Sequence, residues 1–462
     1  MSNALWTSEE IAAATDGEVG QAFAATGVSI DSRSIEAGDL FVALTGARDG
    51  HEFVVQTNDK GAAGALVSKP VPVPAVLVED TFRGLERLGE AARLRAPQTR
   101  RGAVTGSVGK TSVTRAVEAG LRLAGKAHAS VKSYNNHIGV PLTLARMPRD
   151  TERAVFEVGM NHPDEIVPLS RMIRPHAVAI TTVGPVHLEN FVDGEEGVAR
   201  AKAEIFAGLE PEGVAVLNAD NPWFGLLSEE AKKAGAAVWS FGSHEGVTAQ
   251  LTGFDVRPGG ATVSVVLRGE AINFPILQTG VHWGPNSLCV LLMLEALGVS
   301  REIALEALAT FEPIEGRGAE KTVTIEGGAF TLVDESYNAN PVSMQAALKT
   351  LGARKVAGRR VAVLTDMLEL GEGSARFHAE LAEPLAAAKV DLVFLAGVHM
   401  KSLWEALPPT RRGGYAEVTE KLTATLTDAV RPGDVVMVKG SNGSRAGVLA
   451  KALAALDLGG QG

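Results

Sequence analysis

The sequence predicts an α/β protein of three units. These are a small α/β unit, a central mostly parallel P-loop ATPase sheet with a few antiparallel strands, and a carboxy-terminal doubly wound, Rossmann-like unit. Three observations carry the expectation. At 462 residues the chain exceeds one ordinary core and matches about three domains of ~150 residues. Short apolar runs alternate with helical periodicities along most of it, as parallel strands joined by crossover helices do. And Val104-Thr105-Gly106-Ser107-Val108-Gly109-Lys110-Thr111 closes an apolar run and opens an amphipathic helix, the setting of a phosphate-gripping loop.

Taken in order, residues 1–98 form the first unit, with strands at Asp39 to Leu44 and Gly64 to Val67, a helix from Arg83 to Arg95, and an end near Pro97. The second unit, residues 99–316, holds strands at Arg101 to Thr105, Arg153 to Val158, Ala177 to Val183, Val214 to Asn218 and Ala236 to Phe241. Within it Ala249 to Val256 and Ala261 to Arg268, joined across Pro258-Gly259-Gly260, read as a hairpin. The third unit, residues 317–462, follows Gly316-Arg317-Gly318 and has strands at Phe330 to Asp334, Val361 to Thr365, Leu392 to Ala396 and Val435 to Lys439. Gly459-Gly460-Gln461-Gly462 reads as a frayed tail.

Composition narrows the function. Hydrophobic residues make up 45% and charged residues 21%, which supplies buried sheets and excludes a disordered chain. The formal charge of -10, without clustered Lys and Arg, argues against a nucleic-acid partner. The single cysteine, Cys289, lies in an apolar helical run, so no intramolecular disulfide forms and a core position is expected. The start lacks a basic segment followed by an apolar one, and no uncharged apolar run approaches the ~18 residues of a membrane span. A cytoplasmic location without a membrane span is expected.

The loop carries the first chemical reading. Val113, Ala116, Val117, Gly120, Leu121 and Ala124 recur at helical spacing after it, so its glycines sit on a strand-to-helix turn. There backbone N–H groups and the helix dipole surround a phosphate, Lys110 reaches terminal phosphoryl oxygens and the Thr111 hydroxyl holds Mg2+. Val104 stands where the longer G-x-x-x-x-G-K-[ST] pattern has its first glycine, and the shortened form points toward ATP-dependent ligases. Glu157 and His187 lie at strand ends near the loop, where a carboxylate and an imidazole can ligate Mg2+ or serve as structural hydrogen-bonders. Lys202, by itself, reads as part of an amphipathic surface helix in which Glu196 and Arg200 pair. The turns from Asp334 to Pro341 and from Asp366 to Gly371 follow strands and suit either capping or ligand contact.

Together, Thr105 to Thr111, Ser133 to Thr143 (SYNNHIGVPLT), Asp334 to Pro341 (DESYNANP) and Asp366 to Gly371 resemble the muramyl ligases of bacterial cell-wall synthesis, and the likeness runs from Asp31 to Ser441. The resemblance implies an ATP-dependent amide ligase that joins D-alanyl-D-alanine to UDP-N-acetylmuramoyl-tripeptide through an acyl phosphate. It assigns ATP to Thr105, Gly106, Ser107, Val108, Gly109, Lys110 and Thr111, with Asn286 on the adenine side, Arg317 on the ribose side, and Asp334, Tyr337 and Asn338 in the hinge-side motif. Two Mg2+ ions fall to Thr111, Glu157, His187 and Lys202, the last as a carbamate that offers anionic oxygens where an ammonium cannot ligate. The catalytic set that the resemblance implies is Lys110, Glu157, His187 and Lys202.

The same resemblance places the UDP-sugar on Asp31, Ser32, Arg33, Thr45, Gly46, Asp49, Gly50 and His51, with Asn135 and Asn136, and the dipeptide beside Asp366, Glu369, Lys439 and Ser441. A monomer is expected. Trp283, His137 and Asn442 depart from residues frequent in the family. Asp220-Asn221-Pro222-Trp223 lies in the wrong unit, and lacks the arginine, for the signature of the diaminopimelate-adding sister. Another amide ligase of the superfamily, or a nucleotide-binding relative that no longer catalyses, are the competing readings.

Overall fold

The computed structural model describes residues 4–131, 133–257 and 259–460. Met1 to Asn3, Pro258 of the expected hairpin turn, and Gln461 and Gly462 of the expected tail lie outside the described residues. Among those described, the strands gather into a small two-stranded sheet and three larger ones.

The first large sheet has the order Glu18–Val19, Ala75–Leu77, Gly64–Val67, Asp39–Val42, Gly27–Ser29, parallel except at its first strand. Trp6–Thr7 pairs separately with Ala24–Ala25. The covering helix, Thr81–Leu94, starts two residues before its expected position because the Asp80 carboxylate caps it, accepting from the N–H groups of Phe82 and Arg83 at 2.7 and 3.0 Å. Its other face lies on Gly139–Ala145, a helix buried along its whole length. The approach is close: a Cβ on Gly89 would sit 3.0 Å from the Pro141 carbonyl oxygen. Trp6 Nε1 donates to Ala145 O at 2.8 Å and Arg146 Nε to Val28 O at 2.6 Å, so this short helix joins the first unit to the second.

The central sheet runs Glu270–Ile276, Gly260–Leu267, Ala249–Arg257, Ala237–Gly242, Val214–Asn218, Ala177–Ile180, Arg100–Thr105, Arg153–Glu157, Ala127–Ala129. It is parallel from Ala127–Ala129 through Ala249–Arg257 and antiparallel beyond. Arg100–Thr105 comes first of the parallel set in sequence yet lies between Arg153–Glu157 and Ala177–Ile180, so the chain reverses its direction of sheet growth there. Crevices at the carboxyl ends of strands beside such a switch are where open α/β sheets bind ligands. The helices Lys110–Ala124 and Trp283–Ala296 cover one face, and Cys289 is fully buried in that layer, where burial pushes its thiol up.

The third sheet has the order Ala319–Ile325, Gly328–Glu335, Val435–Lys439, Arg360–Thr365, Leu392–Ala396, Arg412–Ala416. Only its first pair is antiparallel, so the doubly wound core carries a hairpin at one edge. The last glycines depart from the expected tail: Leu458–Gly460 forms a 3-10 turn in which Gly459 N donates to the Asp457 carboxylate at 3.2 Å. No helix among the described residues is long and apolar enough to cross a membrane.

Phe156 is fully buried one residue before Glu157 and anchors the strand that carries it. Phe156→Ala is expected to lower unfolding stability by about 3–5 kcal/mol in urea denaturation. A loss under about 1 kcal/mol would contradict this packing.

Candidate active site at the sheet switch point

Gly106 and Gly109 shape the phosphate loop. Gly106 has φ +147°, and a Cβ there would lie 2.0 Å from Thr181 Oγ1, so only glycine fits. Thr181 N donates to Thr105 O at 3.0 Å, Ser107 N to Thr182 O at 2.8 Å, and Ser107 Oγ to Gly184 O at 3.1 Å. These bonds explain why the strand expected to run to Val183 stops at Ile180: the next residues turn aside to brace the loop. Gly109, at φ +86°, starts the helix Lys110–Ala124 without a side-chain cap, which leaves the N–H groups of the first turn for an anion.

A cleft of about 460 Å³ opens over this loop between the second and third units. Ser107 to Thr111 and Asn286 line one side, and Arg317, Tyr337 and Asn338 line the other. The Arg317 guanidinium stacks on the Tyr337 ring at 4.0 Å. Ser133 was not anticipated, yet its hydroxyl lies 3.3 Å from Thr111 Oγ1 and accepts from the Tyr337 hydroxyl at 3.2 Å, joining the loop to the third unit. Glu335 and His282 also line the cleft and were not singled out. Glu335 follows Asp334 at a strand end, and that placement was the available signal.

Several expected residues lie elsewhere. Thr105 is fully buried beneath the loop, and Gly106 offers its carbonyl to Lys110 Nζ at 2.6 Å. The Asp334 carboxylate accepts from Ser336 N at 3.0 Å and shapes the turn. Asn135, grouped with the UDP-sugar residues, faces the cleft and donates to Glu157 Oε1 at 2.8 Å. Asn136 accepts from Ile138 N and Gly139 N at 3.2 and 2.9 Å and fixes the entry to the linking helix. Lys439, expected beside the dipeptide, is buried at the cleft, with Nζ 3.1 Å from Asn338 O and 3.4 Å from Glu335 Oε2. Trp283 is buried against Phe311 in the central core, so the departure there changes packing, while His282 and Asn286 meet the cleft.

Charge is concentrated at the switch point. Lys202, on a helix that by itself reads as surface but assigned to the Mg2+ site by the family resemblance, is 3% exposed. Its neighbours Glu196 and Arg200 do pair on the outer face, at 2.6 Å. Burial, with the Lys110 ammonium nearby, holds the Lys202 amine well below the usual range. The surrounding protein lowers Lys110 too, and the Glu157 carboxylate partly offsets this. Burial, Lys110 and Lys202 together push His187 down to about 4, which makes it a neutral imidazole at neutral pH. Glu157 is 2% exposed. Among the described residues no three His, Cys, Asp or Glu side chains gather to hold a metal ion.

Two further groups sit at carboxyl edges of the other sheets. In the first unit Asp31 to Arg33, Thr45 to His51, and Ser68 with Lys69 follow three neighbouring parallel strands. Arg33 binds the Asp31 carboxylate through two nitrogens at 2.9 and 2.8 Å, Lys60 Nζ donates to Ser32 O at 2.7 Å, and Asp49 pairs with Lys69 and His51, each at 2.6 Å. Thr45 bridges to Asp49, and Gly50 packs so tightly that a Cβ would meet Leu44 O at 2.7 Å, while a Cβ on Gly46 would meet only open space. In the third unit Asp366, Glu369 and Ser441 lie on turns that follow Arg360–Thr365 and Val435–Lys439. Glu369 Oε2 crosses to the second unit and reaches His187 Nδ1 at 3.2 Å.

Comparison with known proteins matches three family models along the chain: the Mur ligase family catalytic domain over residues 24–112, the Mur ligase middle domain over 104–294, and the Mur ligase glutamate ligase domain over 321–442. The UDP-N-acetylmuramoyl-tripeptide--D-alanyl-D-alanine ligase of Rickettsia prowazekii is 32% identical over 444 residues, covering 95% of this chain and 97% of its own. A crystal structure of MurF from Acinetobacter baumannii superimposes with TM-score 0.85 at 28% identity, covering 97% of this chain and 99% of that one. MurF ligase from Thermotoga maritima in complex with ADP shares the fold at TM-score 0.78 and 24% identity, over 93% and 97% of the two chains. With three sheets, a shortened phosphate loop at the switch point and near full-length similarity of this order, the chain belongs to the Mur ligase family.

Proposed function

We propose that the chain joins D-alanyl-D-alanine to UDP-N-acetylmuramoyl-tripeptide with ATP, giving UDP-N-acetylmuramoyl-pentapeptide, ADP and phosphate. The carrying observation is that Lys110 and Glu157 line the switch-point cleft while His187 and Lys202 stand within the electrostatic reach of Lys110, an arrangement that suits anionic substrates. The similarity to ligases named for this reaction supports the substrates. Residues 1–98 take the UDP-sugar through the loops at Asp31 and Asp49, residues 99–316 take ATP, and residues 317–462 bring the dipeptide. The enzyme acts as a monomer in the cytoplasm.

The terminal carboxylate of the tripeptide attacks the γ-phosphorus of ATP. A carboxyl O–P bond forms, the bond to the ADP oxygen breaks, and ADP leaves an acyl phosphate behind. The loop N–H groups and Lys110 hold the transferring phosphoryl oxygens, a contribution of position and charge. The deprotonated amine of the dipeptide then attacks the acyl carbon, phosphate departs and an amide remains. Closure of the third unit over the cleft excludes the water that would hydrolyse the acyl phosphate.

Thr111, Glu157, His187 and Lys202 would hold Mg2+, and the donor set tests that fit. Glu157 supplies one buried carboxylate and His187 a neutral imidazole, both suitable, but Lys202 ligates only after losing its positive charge. Burial and the charge of Lys110 favour the uncharged form of this amine, the form that adds CO2 with release of a proton, and the carbamate would supply the missing anionic oxygens. Bound Mg2+ offsets the charge of the approaching carboxylate and triphosphate.

Phosphate release, with mass spectrometry of the product, tests this reading across D-alanyl-D-alanine, D-glutamate, diaminopimelate, lysine and no amine. Release that requires the dipeptide and forms the pentapeptide is expected; dependence on another amine, or no release, would overturn it. Lys110→Ala should lower turnover by about 10²–10³-fold. Lys202→Ala should abolish turnover, with bicarbonate unable to restore it, and full activity in that variant would remove Lys202 from the machinery. The wild type should lose activity as acid protonates the Lys202 amine and expels CO2, and regain it with bicarbonate at neutral pH.

A further inference from the structure

The turn Asp366 to Gly371 is held from three directions, and one of the holding groups has no place in the chemistry described so far. The Asp366 carboxylate accepts from the N–H groups of His399 and Met400 at 3.4 and 3.0 Å. Leu368 N donates to Ser441 Oγ at 3.0 Å. Between them Met367 N donates to His378 Nε2 at 2.9 Å. His378 is fully buried on the helix Ser374–Ala379, with its other ring nitrogen, Nδ1, 2.6 Å from Ser374 O and 3.4 Å from Ser374 Oγ.

These partners fix the tautomer. A backbone N–H only donates and a carbonyl only accepts, so Nε2 carries the lone pair and Nδ1 the proton. The ring is therefore neutral, with the Asp366 carboxylate nearby on one side and the exposed His399 ring stacked at 5.6 Å on the other. Glu369 follows the anchored residues directly. It adopts φ +62°, a conformation uncommon outside glycine, asparagine and aspartate, and holds its carboxylate 3.2 Å from His187. The turn is thus tied down in part by a single histidine tautomer and holds the Glu369 carboxylate against His187.

We infer that His378 is a positioning residue for the incoming amine: through Met367 it sets the turn that aims Glu369 at the reaction centre, and it does so without touching substrate. The inference rests on the ligase reading above, because that reading places the dipeptide beside this turn.

The experiment compares His378→Leu, which fills the space but offers no acceptor to Met367 N, with His378→Gln, whose amide oxygen can accept there. His378→Leu should raise KM for D-alanyl-D-alanine by about tenfold, the scale of one orphaned buried N–H, while KM for ATP stays within about twofold. His378→Gln should return to within about threefold of wild type. Equal loss for ATP and dipeptide, an unchanged dipeptide KM, or a folded His378→Gln no better than His378→Leu would overturn the inference. Should His378→Leu fail to fold, His378→Gln and the wild-type 15N spectrum decide: a neutral ring protonated at Nδ1 is required, and the opposite tautomer or an imidazolium would refute it. If the wild type consumes a different amine, the acceptor assignment fails, and the same contrast is read on the KM of that amine.

Discussion

Lys202 is enclosed by protein within the field of Lys110, and only Glu157 supplies a buried carboxylate among the residues gathered with them. Charges of like sign at low local dielectric raise one another's cost steeply, so the site favours a neutral lysine, a neutral histidine and incoming anions. Much of the architecture follows from that constraint. The glycines bring backbone N–H groups to the same point, the helix Lys110–Ala124 leaves its first turn uncapped, and Arg317 extends the positive rim from the third unit. A triphosphate and a carboxylate entering such a site replace lost hydration with fixed dipoles already in place.

The topology makes the constraint affordable to build. A strand with parallel neighbours on both sides gives the loop a rigid base, and the neighbouring strand ends at Ile180 so that Thr181 to Gly184 can support it. The third sheet faces the same region with Glu335 and Lys439 at the carboxyl ends of its parallel strands, so the loops of two sheets meet across one cleft. Contacts between the units are specific: Trp6 and Arg146 lock the first unit to the second, whereas the third touches the second through Tyr337 to Ser133 and Glu369 to His187. Polar contacts of this kind suit a unit that moves relative to the loop.

The parallel strands were legible because buried strands read as short apolar runs, and the phosphate loop because glycine spacing has a backbone cause. Edge strands were less so. Ala127–Ala129, Ala319–Ile325 and Arg412–Ala416 are short, polar or glycine-containing, and pairing rather than pattern makes them strands. Glu270–Ile276 returns through Arg268-Gly269, both at positive φ, a two-residue turn that its glycine alone announced weakly. Lys202 marks the limit of local pattern: Glu196 and Arg200 label the helix as exposed, so family resemblance rather than periodicity pointed to Lys202, and packing shows it buried. Asn135 and Lys439 reach the switch-point cleft through tertiary approach, which local sequence does not encode. His378 escaped notice because its partners are backbone groups, which no side-chain motif marks.

The central claim is that the charge conflict at the switch point is relieved by converting Lys202 from an amine to an anion. Carbon-13 NMR of the protein equilibrated with 13C-bicarbonate at neutral pH tests it most directly. The account predicts a carbamate carbon signal that disappears in Lys202→Ala. A wild-type spectrum without that signal, or one that persists unchanged in the variant, would contradict it.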